Sequence, residues 1–219
     1  MKLRTLDEFS NYIRGDLSWR RKELRVLDGL VKGHAGAAQQ AVLRGAVAAL
    51  YAHWEGFVKN GSGAYIDFVR LRGLRICDLK PNFIGLIIRG RVRHLANGGG
   101  GAEFAEFVDW LLREWESRAY LPNTEKLSTQ SNLSVEVFKD IVHSLGLPYL
   151  REYQTAENTV IMPLLVARND LAHGEWHRVE QDEFEQYFMW IDHLMVRVCD
   201  SIEEAAAVGS YRRQPLGIS

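Results

Sequence analysis

The chain lacks most of the features that announce a function. Cysteine is scarce: Cys77 and Cys199 are the only two in 219 residues. They stand far apart without metal-ligand spacing, which excludes a zinc knuckle or a disulfide scaffold and fits a reduced, cytoplasmic protein. No run approaches the ~20 apolar residues of a transmembrane helix. The segment Met1-Lys2-Leu3-Arg4-Thr5-Leu6-Asp7-Glu8 has none of the apolar core of a signal peptide. Phosphate-binding glycine loops, zinc clusters and nucleophile elbows are missing, so neither cofactor nor metal is expected. No segment alternates like a strand and no internal repeat is visible. An all-α chain is expected.

What is present is helical periodicity. Thr5 with Glu8 three residues on forms a capping-box pattern, and a first helix is expected to about Leu30. Gly33 and Gly36 bracket a break. Leu43, Val47, Leu50, Trp54, Phe57 and Val58 then recur every three or four residues. Tyr65, Phe68 and Val69 resume that face after Gly61 and Gly63, so one long helix is expected, weakened and open to a kink at the glycines. Past the Pro81 break, a short helix is expected over Phe83–Leu95. The glycines at 98–101 mark a turn before an amphipathic helix over Phe104, Phe107, Val108, Leu111, Leu112 and Trp115. Residues 122–132 are polar and loop-like. Ser134 caps a helix stopped by Gly146 and Pro148. Thr159 is read as the cap of the next helix, with Pro163 in its first turn and Gly174 at its end. A last helix runs from about Gln181 to Val208. The chain thus reads as a single domain over 1–208. Residues 73–150 form an insertion or family-specific region of mixed helix and loop, and 209–219 a flexible tail.

Charge is uneven beneath a net of −1. Between Lys59 and His94 eight basic residues face two acidic ones, a net of +6; between Glu180 and Glu204 eight acidic residues face Arg197 alone, a net of −7. The basic stretch fits a phosphate backbone, or a solvated face that pairs with the acidic stretch.

The sharpest chemistry is Arg168-Asn169-Asp170-Leu171-Ala172-His173-Gly174 at the end of an apolar run. It sets a permanent cation near a group that titrates around neutral pH, which suits metal-free RNA cleavage. Arg89 and His94 have the same spacing, but they lie in a run of arginines, with Gly90 directly after the first. A cation and a histidine at a helix C-terminus also have a structural explanation in the macrodipole.

Two segments together resemble a known family. The stretch 168–173 is similar to the signature of the HEPN superfamily (higher eukaryotes and prokaryotes nucleotide-binding domains). Tyr51-Ala52-His53-Trp54-Glu55-Gly56-Phe57-Val58-Lys59 resembles the long-helix signature of its MAE-type HEPN-like nuclease branch. The resemblance implies an α-helical bundle that dimerises with both motifs at the interface, forming a composite active site. It implies a metal-independent endoribonuclease, often a toxin of a toxin–antitoxin or phage-defence (antiviral) system. An antitoxin partner, a nucleotidyltransferase or another protein, would restrain it. Arg168 and His173 take the catalytic places and Asn169 the supporting polar one. Glu55 and Lys59 are weaker substrate-binding candidates, equally well explained as an i,i+4 helix pair. His177 and Arg178 follow the motif closely enough to touch RNA. Two other functions remain open: a non-catalytic RNA- or nucleotide-binding module on the same fold, and an interaction protein that docks through its acidic last helix.

Overall fold

A computed structural model describes residues 3–122, 132–175 and 178–214. These residues form eight α-helices and no strand: α1 (Leu6–Lys32), α2 (Gly36–Leu71), α3 (Pro81–Ala96), α4 (Gly101–Glu114), α5 (Val135–Ser144), α6 (Arg151–Ala156), α7 (Met162–Ala172) and α8 (Gln181–Ala207). The all-α expectation holds.

Local signals set several boundaries. The Thr5 hydroxyl accepts from the Glu8 amide at 3.1 Å, and the Glu8 carboxylate accepts from the Thr5 amide at 3.0 Å, closing the capping box. Ser134 caps α5, and Gly146 follows it at φ 68°.

The long helix α2 is the spine. It runs uninterrupted through Gly61 and Gly63 and packs against α1, α7 and α8. From Phe57 to Val69 it is buried on nearly every side, as expected of a helix enclosed by others. Trp54, Phe57 and Tyr65 are fully buried, and each such side chain contributes on the order of 2 kcal/mol through lost apolar exposure. Gly61 allows the close packing: a Cβ there would sit 3.4 Å from Ile202 Cδ1 of α8 and 3.5 Å from Ile13 Cδ1 of α1.

Three expectations are corrected. Thr159 caps nothing. The chain is already helical from Arg151, and residues 157–161 form a π-helical turn that leads into α7. Inside that turn the Thr159 hydroxyl donates to the Thr155 carbonyl at 2.9 Å. A proline inside an ordinary helix clashes with the carbonyl four residues back and lacks an amide hydrogen. A wide turn just before Pro163 relieves both, so Pro163 stands in the first turn of α7 as expected while the chain before it is already helical. Next, part of the stretch expected as a tail is packed. Tyr211 is buried with Tyr65 and Phe68, and the Lys80 amide donates to the Tyr211 carbonyl at 2.9 Å. Finally, the basic and acidic stretches do not neutralise each other. Lys59 pairs with Glu55, Arg70 with Asp67, Arg75 with Asp78 and Arg89 with Asp140. Three acids of α8 face α1 instead, through Asp192–Arg21, Glu203–Arg14 and Glu185–Lys32. No helix is long and apolar enough to cross a membrane among the described residues.

Candidate nuclease site on α2 and α7

Helix α7 lies against α2 in the opposite direction. Arg168 packs beside Tyr51, and residues further along the chain meet positions earlier in α2: Arg44 donates to the Glu175 carbonyl at 3.3 Å, and Gln40 to the Val179 carbonyl at 3.0 Å. The long helix therefore braces the 168–174 motif at both ends.

The motif ends as its glycine foretold. The Gly174 amide donates to the Leu171 carbonyl at 3.2 Å and the Glu175 amide to the Asp170 carbonyl at 2.9 Å, with Gly174 at φ 75°. This Schellman arrangement needs the left-handed backbone glycine adopts at least cost. It leaves His173 exposed at the end of the helix.

Arg168 is half-buried and held on three sides. Its guanidinium carbon lies 5.1 Å from the centre of the Tyr51 ring, a cation–π distance. Its Nη1 donates to Asn169 Oδ1 at 2.9 Å and to Asn132 Oδ1 at 2.9 Å. Asn169 was expected to support the pair; its side chain engages Arg168, while its backbone carbonyl accepts from the His173 amide at 3.0 Å.

Tyr51 joins this group to the long-helix signature. Residues 51, 55 and 59 recur every four positions and so share one helix stripe. Glu55 accepts from Lys59 at 2.6 Å. The Tyr51 phenol is pushed up to about 12, first by burial and then by the Glu55 charge, opposed by the Leu133 amide and by Arg168. Glu55 and Lys59 thus stand on the stripe that carries Tyr51 beneath Arg168, already paired with each other. The remaining signature residues face elsewhere. Trp54 meets Phe138 of α5 edge-on at 5.0 Å. Gly56 makes room for the buried Arg20 guanidinium, which would lie 2.7 Å from a Cβ at that position.

Arg178 is exposed and pairs with Glu180 at 2.6 Å. His177 lies outside the described residues. The rival spacing falls on α3, where Arg89 and His94 are both exposed and Arg89 is taken by Asp140 at 3.3 Å. Among the described residues no group of three or more His, Cys, Asp or Glu is placed to hold a metal ion. Sequence reasoning missed Tyr51 as a partner of Arg168, and missed Asn132 and Arg44. Tyr51 was visible four residues before Glu55; nothing local marked the other two.

The two signatures lie on an antiparallel helix pair within a bundle of α1, α2, α7 and α8, consistent with an all-α HEPN fold. The chain matches the MAE_28990-like HEPN family over residues 9–211 and belongs to it. That match includes the 73–150 region. Neither a curated protein nor a solved structure matches the chain. Membership points to a nuclease-like or RNA-binding module.

Proposed function

We propose that this protein is a metal-independent endoribonuclease. The observation that carries the reading is Arg168: a permanently charged fork fixed on a packed helix by Tyr51, Asn132 and Asn169, five residues before an exposed histidine. RNA brings its own nucleophile. His173 would take the 2′-OH proton as general base, and a histidine would protonate the departing 5′ oxygen as general acid. Arg168 would stabilise the charge that builds on the pentacoordinate phosphorus. Products would carry a 2′,3′-cyclic phosphate and a 5′-OH, and DNA would survive.

Arg168 lies within α7, and His173 caps its C-terminus. Residues five apart on an α-helix differ in direction by about 140°. Arg168 rests against α2 while His173 stands in solvent at the helix end. That separation favours a site shared by two copies, in which the histidines can divide the acid and base roles. The reading extends to a toxin or phage-defence effector with RNA as substrate, restrained by an antitoxin protein such as a nucleotidyltransferase. Expression of wild type should then be poorly tolerated by cells and His173→Ala well tolerated.

The deciding experiment is RNA cleavage by the purified protein in EDTA, wild type beside His173→Ala, with the product ends identified. Cleavage by wild type alone, leaving cyclic phosphates, is the expected result. RNA binding without cleavage would replace the reading with a non-catalytic binding module. Cleavage that survives in the variant would remove His173 from the chemistry.

A further inference from the structure

We infer that Asn132, a residue of the middle region, is a positioning residue that orients the Arg168 guanidinium for phosphate; the inference rests on the ribonuclease reading only for its catalytic consequence. A guanidinium has five N–H donors, two of them on Nη1. Both Nη1 donors are occupied, by Asn132 Oδ1 and Asn169 Oδ1, each at 2.9 Å. The Nε–Nη2 edge has no partner among the described residues. That edge is one of the two-pronged faces with which arginine takes a phosphate. Fixing Nη1 therefore selects which face is offered.

Asn132 is itself held in place. Its amide nitrogen donates to Asn169 Oδ1 at 3.3 Å, closing a three-residue ring with Arg168. The next residue, Leu133, is fully buried, and its amide donates to the Tyr51 hydroxyl at 2.6 Å. Tyr51 thus acts twice: its ring lies against the guanidinium, and its hydroxyl anchors the segment that grips the other side. A residue 36 positions before Arg168 is brought to it through the long helix.

The test compares wild type with Asn132→Ala, Asn132→Asp and Tyr51→Phe. Rotation of the Arg168 guanidinium is read by nitrogen NMR of its side chain, and single-turnover RNA cleavage is followed in EDTA. Aspartate keeps an acceptor for Nη1; alanine does not. Rotation should be hindered in wild type and Asn132→Asp and clearly faster in Asn132→Ala, where Asn169 alone still holds Nη1. Tyr51→Phe, which keeps the ring but loses the anchor, should give an intermediate release. Cleavage in Asn132→Ala should fall about 10- to 100-fold, since small misplacements of a charge-stabilising group are costly, with substrate affinity within about twofold and partial rescue by aspartate. Equal rotation in wild type and Asn132→Ala would overturn the inference, as would undiminished cleavage by the alanine variant. If wild type cuts no RNA, the ribonuclease reading fails, and the rotation measurement alone still decides whether Asn132 orients Arg168.

Discussion

His53 shows how one residue of a family signature serves the fold rather than the site. It sits between α1 and α2, buried, with its Nε2 3.5 Å from Glu23 and its ring edge-on to Trp19. Burial holds its imidazole below the usual histidine value; Arg20 adds to this, and Glu23 and Asp16 oppose it. The unfolded chain therefore binds a proton more readily than the folded one. The stabilising contribution is complete above about pH 6.5 and is lost as pH falls through the lowered folded value. Urea denaturation from pH 7.5 down to 5 should show the midpoint falling, and His53→Gln should flatten that decline. An equally steep decline in the variant would assign the acid sensitivity to other groups.

At the level of elements, α2 shows that its glycines have opposite meanings. Gly45 is exposed, and a methyl group added there would meet nothing within 4 Å, whereas a methyl group at Gly56 would fall 2.7 Å from the Arg20 Nη1. Arg20 has little room to withdraw: its Nε is bound to Asp16 at 2.9 Å and its Nη1 donates to the His53 carbonyl at 3.3 Å. Gly45→Ala should stabilise by about 0.5–1 kcal/mol through helix propensity. Gly56→Ala should destabilise by about 1–3 kcal/mol through overpacking. Thermal melting of the two variants would show shifts of opposite sign; a stable Gly56→Ala would mean that the guanidinium yields freely. The same contrast explains what was legible in the sequence. Thr5, Ser134 and Gly174 act on residues within five positions of themselves, so their roles could be read directly. The long stripe of α2 could be read from its period. The π-helical turn before Pro163 was hidden because the proline marks the first turn of α7 and signals nothing of the helical chain that leads into it. Asn132 and Arg44 were hidden for a different reason: each meets the motif only after α2 and α7 have packed.

At the scale of the whole molecule, the deciding quantity is how many chains make one site. Arg168 lies within α7 and His173 caps it five residues later, a spacing that turns an ideal α-helix by about 140°. If a site takes Arg168 from one chain and His173 from another, two inactive variants can repair each other. In a mixed dimer of Arg168→Ala and His173→Ala, one of the two sites regains both residues. Random exchange of subunits would then restore roughly a quarter of wild-type activity, because half the dimers are mixed and each holds one whole site. A site that needs both histidines, one as base and one as acid, predicts something else: the mixed dimer retains a single His173 and stays inactive. A site complete within one chain also gives no repair, but there a single wild-type subunit remains active beside a His173→Ala partner. Cleavage assays on the variant mixture and on wild type mixed with excess His173→Ala therefore separate the three arrangements. Light scattering at micromolar concentration supplies the necessary condition, since a monomer that retains activity would exclude both shared forms.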